Sequence, residues 1–276
     1  VQLYTYNIPL HPSPLPLSER FGLILESTSG GLGEAAPLPG FGGTLKEALE
    51  FGFRCARVPF PPAWPRIPLS ALVSNLEEAK LALSRGFRTL KVKVKQHSPE
   101  SALDLVRALQ SPKVCLRIDV NRRWTLPEAL WFFTALDPAG IEYIEEPLDE
   151  PKHLAELPPH PIALDETLLE KEADALVLLP NVRALVLKPT LLGNRLDHWL
   201  EPRGKRLVFS SSFESAIGLL HIAHLQARFA PDSAVGLDTH RSFTANFLPF
   251  PTENGMLSDQ PNPPIDRSLW HPFHVR

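Results

Sequence analysis

Across residues 89–189 one local pattern returns five times: LKVKV (90–94), VCLRID (114–119), IEYIEEP (141–147), PIALDE (161–166) and ALVLKP (184–189). Each is a short apolar run carrying or ending on an ionisable residue: Lys93, Asp119, Glu145, Asp165 and Lys188, in steps of 26, 26, 20 and 23 residues. A strand–helix unit with short loops takes about that length, because a parallel crossover alone needs roughly a dozen residues. Charged groups at the carboxyl ends of successive parallel strands converge on one face of a (β/α) barrel, where such folds keep their active sites. Site-like residues at the ends of most strands favour a barrel over an open doubly wound sheet, which gathers its ligand at one switch point. Three carboxylates between two amines point to a metal site flanked by proton-transfer groups, and so to an enzyme.

The neighbouring segments keep the alternation. Leu76–Arg85, Glu100–Leu109 and Pro127–Leu136 have helical character, separated by strands at Thr89–Val94, Val114–Asp119, Ile141–Glu145 and Ile162–Asp165. Ala184–Lys188, Arg206–Ser211 and Ala234–Asp238 continue the series, and a first strand near Ile67–Leu72 makes eight. Glu214–Phe229 is the clearest helix. Residues 1–65 differ: QLYTYNI and RFGLILES read as strands, GGLGEAAPLPGFGG as a turn region, and TLKEALEFGFRCAR as a helix begun by a Thr44–Glu47 capping box. The expected fold class is α/β. A barrel spans residues 66–249, beside an α+β domain of residues 1–65. The proline-rich PFPPAWPRIP marks the boundary, and the tail 250–276 packs back on that domain.

Composition narrows the function. With 276 residues and a net charge of −3, the chain lacks the electrostatic footprint of a nucleic-acid or membrane-surface binder, which leaves a small molecule as partner. No apolar stretch reaches the roughly 18–20 residues of a membrane-spanning helix. The opening VQLYTYNIPL has neither the basic region nor the apolar run of a secretory signal, so a cytoplasmic location is expected. Cys55 and Cys115 are too few for a disulfide framework and read as buried thiols in a reducing compartment. The 30 prolines punctuate loops, which stiffens them and lowers the entropy of the unfolded chain.

Alternation along a strand puts Lys91, Lys93 and Lys95 on one face and Val92 and Val94 on the other. A second nearby cation and desolvation depress a lysine's pKa and make it a competent base. Asp119, Glu145 and Asp165 offer hard oxygen ligands suited to Mg²⁺, with Mn²⁺ able to stand in. Arg117 and Asn121 share the face of Asp119 and are expected to reach the pocket. Glu146 and Glu166 have the opposite parity and are expected to support the site or to be ion-paired. Ser210–Ser212 precede the strongest helix, where free N–H groups and the dipole favour an anion. Ser211 with Glu214 also matches a capping box, and such a cap can shape the anion pocket. His221 and His224 lie three apart but read as surface or core residues. The glycines of residues 30–43 lack the phosphate-loop pattern.

The segments GEAAPLPGF, LKVKV, LRIDVNRRW, YIEEPL, IALDET, VLKPTLLG, SSSFESAIGL and GLDT carry a resemblance nearly end to end. The chain resembles the enolase superfamily and its muconate-lactonizing-like subgroup, and more narrowly the o-succinylbenzoate synthase family. That resemblance implies a modified (β/α)7β barrel under a capping domain built from both chain ends. It implies that Lys93 abstracts the proton α to the substrate carboxylate, while Mg²⁺ on Asp119, Glu145 and Asp165 stabilises the enediolate. Protonated Lys93 then helps the β-hydroxyl leave as water, Lys188 stays cationic opposite, and Lys91 tunes Lys93. The same resemblance has the His11–Arg20 loop and the Leu38–Phe41 turn close over the substrate, with Ser211 and Ser212 seating its succinyl arm. Lys95 stands where many relatives have glycine; the change either crowds or recharges the pocket mouth or is absorbed by the loop, and it removes no catalytic group. N-succinylamino acid racemases and dipeptide epimerases share the paired lysines and are the nearest alternative. A non-catalytic barrel predicts a missing ligand or lysine, and none is missing.

Overall fold

The computed structural model describes residues 1–11, 17–61, 66–258 and 263–273. Strands β1 (Gln2–Pro9) and β2 (Glu19–Glu26) pair antiparallel from Gln2 opposite Glu26 to Pro9 opposite Glu19, and β3 (Leu32–Ala35) adds to β2. Helix α1 (Leu45–Cys55) lies on this sheet. Its start follows from local chemistry: Thr44 and Glu47 form the expected capping box. Gly33 and Gly52 let the helix touch the strand, since a Cβ on Gly33 would stand 1.9 Å from the Gly52 carbonyl oxygen.

The barrel follows. Its strands are β5 (Ser70–Val73), β6 (Thr89–Lys93), β7 (Cys115–Asp119), β8 (Ile141–Glu145), β9 (Ile162–Leu164), β10 (Val182–Leu187) and β11 (Arg206–Phe209), after a short β4 (Ile67–Pro68). Between them run α2 (Leu76–Ser84), α3 (Pro99–Leu109), α4 (Leu126–Ala135), α5 (Ala173–Val177), α6 (Pro189–Leu192) and α7 (Leu196–Leu200); α8 (Ala216–Phe229) follows β11. The seven strands from β5 to β11 are parallel, each beside its neighbour in sequence. The fold is the modified (β/α)7β barrel with its antiparallel companion sheet.

Two expected strands take a different form. Pro68 has no N–H for a parallel ladder, and the predicted Ile67–Leu72 strand divides into β4 and β5. The predicted Ala234–Asp238 strand contracts to Val235 and Gly236. Val235 bonds Pro68 and Ser70, while Gly236 bonds Phe209 and Ser211, and those four main-chain bonds of 2.9–3.0 Å close the barrel. Further on, β12 (Thr252–Glu253) pairs with β13 (Met256–Leu257), which pairs with β4. The tail returns as β14 (His271–Pro272) on β1, giving the order β14-β1-β2-β3. Trp270 packs there on Tyr4 and Phe247.

Strand alternation separates two cores. Val92, Ile118, Ile144, Leu164, Leu185 and Leu187 are buried in the large cluster under the helices. Tyr143, Ala163, Ala184, Val186 and Val208 form a separate cluster inside the barrel. The inward parity of that second set continues, one step along each strand, to Glu145, Asp165 and Lys188.

Gly33→Ala is expected to destabilise the protein by about 2–3 kcal/mol, the upper range of overpacking, because backbone faces the new methyl group. The denaturation midpoint checks this; an unchanged midpoint would show that the helix can lift away from the strand at little cost.

Candidate active site

Ladder register sets the first row of groups. Lys93 lies opposite Asp119 and Asp119 opposite Glu145 across β6, β7 and β8, so three side chains meet at one height inside the barrel. Lys91, one inward position below Lys93, reaches up between the acids: its Nζ is 2.7 Å from Glu145 Oε1 and 3.0 Å from Asp119 Oδ2. Lys93 Nζ donates to Asp119 Oδ2 at 2.5 Å and to Asn121 Oδ1 at 3.1 Å. The residues just past β9 and β10 supply the other side, where Lys188 Nζ donates to Asp165 Oδ2 at 2.5 Å. Asp119 and Glu145 are wholly buried. The structure thus brings together all five strand-end residues, together with Lys91 and Asn121.

Burial and charge act against each other here. Burial would raise the Asp119 carboxyl, but the Lys91 and Lys93 ammoniums hold it well below the usual range. Glu145 goes the other way: burial and the Asp119 charge push it well up, beyond what Lys91 offsets. Burial would lower Lys91, yet Asp119, Glu145 and Asp165 hold it well above an ordinary lysine. Lys188 is likewise held up by Asp165 and Glu166 against its own burial. From sequence, a second cation and desolvation are expected to depress the lysines of β6, while the resemblance has Lys188 stay cationic. At Lys91 the carboxylates outweigh both effects, and Lys188 is held in its charged form, in keeping with the expectation for it.

Among the described residues no three acid, His or Cys groups stand at ready metal-binding geometry. The donor set nevertheless suits a hard divalent cation: three carboxylates on consecutive strand ends, with Glu145 Oε2 buried and unpartnered.

A second set of bonds locks the strand ends together. Glu146 accepts from Asp165 N–H at 2.7 Å, Thr167 N–H at 2.8 Å, Thr167 Oγ1 at 2.8 Å and Arg122 Nε at 2.9 Å. Asn121, Arg122 and Glu146 all have left-handed backbone angles, with φ of 51°, 55° and 43°. The expected supporting role of Glu146 is therefore an ion pair to Arg122 plus a brace on the Asp165 loop. Glu166 accepts from Asn121 Nδ2 at 3.3 Å and is pushed up to about 7 by burial and Asp165. Arg122 escaped the sequence reading, although it stands within the quoted LRIDVNRRW.

Other expectations need correction. Arg117 does not reach the pocket: its guanidinium bonds Glu142, Ser233 Oγ and the Ala234 carbonyl at the amino-terminal end of the barrel. The cap of α8 is Ser215, not Ser211, and Glu214 accepts from Ser212 N–H at 2.6 Å. Ser211 Oγ lies 2.5 Å from Thr239 Oγ1 past the closing segment, and Ser212 Oγ is buried without a partner. His221, by contrast, lies in the core, one of the two placements expected for it, its ring 2.7 Å from the Leu32 carbonyl and its pKa lowered to about 4 by burial. The Leu38–Phe41 turn is closed by a main-chain bond. Residues 12–16 of the expected His11–Arg20 lid, and 62–65 of the PFPPAWPRIP boundary, lie outside the described residues.

Comparison with known proteins agrees with this geometry. A family described as Enolase C-terminal domain-like matches residues 75–192. The o-succinylbenzoate synthase of Vibrio cholerae serotype O1 is 32% identical, over 91% of this chain and 93% of its own length. That of Klebsiella pneumoniae is 31% identical over 91% and 94%. The crystal structure of o-succinylbenzoate synthase from Thermosynechococcus elongatus, complexed with Mg in its active site, superposes with a TM-score of 0.73. It is 31% identical and covers 91% of this chain and 96% of that one. The Bacillus subtilis L-Ala-D/L-Glu epimerase shares the fold, at 18% identity and a TM-score of 0.74. With that identity extending over nine-tenths of its length, the chain belongs to the o-succinylbenzoate synthase family of the enolase superfamily.

Proposed function

We propose that this chain is a lyase, an o-succinylbenzoate synthase of menaquinone or phylloquinone biosynthesis. It removes water from 2-succinyl-6-hydroxy-2,4-cyclohexadiene-1-carboxylate to give 2-succinylbenzoate. The observation that carries the reading is the row of Lys93, Asp119 and Glu145 across three adjacent strands, completed by Asp165 with Lys188. Membership of the family supports it.

Lys93 is the base. Its Nζ takes the proton α to the substrate carboxylate, and the released electron pair forms the new ring double bond as the bond to the β-hydroxyl breaks. The same Nζ returns the proton to the departing oxygen, which leaves as water from the same face, and aromaticity drives the step forward. One residue thus serves as base and then as acid. Asn121 Oδ1, 3.1 Å from Lys93 Nζ, fixes the direction of the amine. Lys188, held protonated by Asp165 and Glu166, provides a fixed positive charge opposite. Lys91 spans Asp119 and Glu145 and keeps them in register.

Asp119, Glu145 and Asp165 would hold Mg²⁺, which when bound supplies positive charge beside the substrate carboxylate as its α-carbon becomes electron-rich. Ser211 and Ser212 would seat the succinyl arm. We further assign residues 1–65 and the tail 250–276 to a capping domain and residues 66–249 to the barrel, in keeping with the pairing of β14 on β1. No helix among the described residues is long and apolar enough to cross a membrane. The two unpaired thiols accord with cytoplasmic residence, with a small carboxylate as partner and neither nucleic acid nor membrane.

Lys93→Ala is expected to reduce turnover beyond the roughly 10²–10⁴-fold of ordinary general-base loss, because acid and base vanish together. Near-wild-type loss of the diene's absorbance in that variant would rule out the mechanism. Lys95→Ala is expected to cost less than about tenfold, since one rim charge alters only the pocket mouth.

Excess EDTA is expected to stop turnover and added Mg²⁺ to restore it. Calorimetry should show Glu145→Gln binding Mg²⁺ at least about tenfold more weakly, as befits the loss of one ionised ligand. Unaltered affinity in that variant would remove Glu145 from the ligand set.

A further inference from the structure

Arg20 and Glu34 take no part in the reaction just described, yet both are buried and both reach from the antiparallel sheet into the barrel. Among the described residues, the Arg20 side chain donates only to main-chain carbonyls. Nε donates to Phe213 O at 2.9 Å, and Nη2 to Ser212 O at 3.1 Å and Ala36 O at 2.6 Å. Nη1 donates to Pro37 O at 2.5 Å and Phe21 O at 3.3 Å. A planar fork with five fixed donors can do this; a lysine's single ammonium cannot span the same acceptors.

The acceptors on the barrel side are unusual. Phe213 has a φ of 60°, the left-handed region that a bulky residue adopts only when its surroundings impose it. Arg20 grips the carbonyls of that residue and of the one before it. Glu34 grips the other end of the same segment: it accepts from Ser215 N–H at 2.8 Å, Ser215 Oγ at 2.6 Å and Gly218 N–H at 2.8 Å. Gly218 leaves the carboxylate room, since a Cβ there would lie 2.9 Å from Glu34 Oε2. Tyr6 from β1 donates to Glu34 in turn. Segment 212–218 is thus held at both ends by side chains of the other sheet. Its first residue, Ser212, keeps a buried hydroxyl with no protein partner.

We propose that Arg20 is a positioning residue for the substrate's succinyl arm. By holding Ser212 and Phe213 in the left-handed turn, it sets the direction of the Ser211 and Ser212 hydroxyls. It thereby makes the antiparallel sheet part of substrate binding although Arg20 itself does not touch the substrate. This rests on the synthase reading and on the role given there to Ser211 and Ser212.

Arg20→Lys and Phe213→Gly test it, the second leaving Arg20 intact while freeing the turn. In each folded variant KM for the diene is expected to rise tenfold or more. Turnover at saturation should change less than threefold and Mg²⁺ affinity less than twofold. A purely structural role would reduce the active fraction and leave KM alone, so wild-type KM in both variants overturns the proposal. An equal loss of Mg²⁺ affinity overturns it too, because the damage would then not be confined to the arm. If Arg20→Lys does not fold, Phe213→Gly decides by the same measures. Calorimetric binding of 2-succinylbenzoate reads the same clamp without turnover. Wild-type protein that neither turns over the diene nor binds that product fails the synthase reading itself; wild-type activity with unaltered variants fails the clamp alone.

Discussion

Two carboxylates with no exposure, Asp119 and Glu145, sit side by side at the carboxyl end of the barrel and constrain the surrounding structure. An ionised carboxylate removed from water without a partner costs several kcal/mol, so each must have cationic neighbours at short range. Lys91 lies between them and Lys93 adds a second ammonium for Asp119, so Asp119 is held ionised while Glu145 is only partly offset. The arrangement works only in one register. Shifting β6 by a single residue would turn both lysines outward and place Val92 and Val94 against the acids. The ladder that aligns Lys93, Asp119 and Glu145 is therefore fixed by electrostatics as much as by the apolar core.

That demand spreads to the loops. The site needs Asp165 and Lys188 at the same height as the first row, and both lie just beyond their strands. Glu146 brings the Asp165 loop inward through the N–H groups of Asp165 and Thr167, and Arg122 neutralises Glu146 while donating to Thr167. Left-handed angles at Asn121, Arg122 and Glu146 let the chain turn sharply straight after β7 and β8. Such conformations persist where neighbouring bonds over-determine them. Here they persist beside the lysine–carboxylate row.

The repeat was legible because two periods coincide: inward–outward alternation within strands, and the length of a strand–helix unit between them. Arg117 shows where parity runs out. It shares the face of Asp119, but two residues along a parallel strand is roughly 6–7 Å. That step takes its guanidinium down to Glu142 and Ser233 at the opposite rim. Parity assigns a face, and height requires the ladder. The eighth strand was overestimated for a related reason, since Val235 and Gly236 close the barrel with main-chain bonds that leave little apolar pattern. The Ser211–Glu214 spacing suited a cap, but Ser215 serves, because Glu34 fastens the helix start from 181 residues away. No local pattern encodes such a contact. The charge of Lys91 was misjudged from sequence because counting cations in a motif ignores the carboxylates that strands bring across from β7, β8 and β9.

The two ends of the barrel divide their work accordingly. At the amino-terminal rim Arg117 uses Nε, Nη1 and Nη2, Glu142 also meets Arg206, and the guanidinium stacks over Tyr143. The charged groups of that cluster satisfy one another, which is what stability asks of buried charge, although His160 Nδ1, Asn181 Oδ1 and Arg203 Nε, ahead of β9, β10 and β11, are buried without hydrogen-bond partners. At the carboxyl rim Glu145 Oε2, Glu166 Oε2, Thr190 Oγ1, Ser212 Oγ and Asp238 Oδ1 are buried without protein partners. Each such atom costs about 1–3 kcal/mol, and all five stand at or just beyond the end of a strand or of the closing segment. A protein optimised only to fold would pair or delete them. Glu145 Oε2 lies within the lysine–carboxylate row and Ser212 Oγ beside the turn gripped by Arg20, positions where a bound cation and a polar ligand would satisfy them.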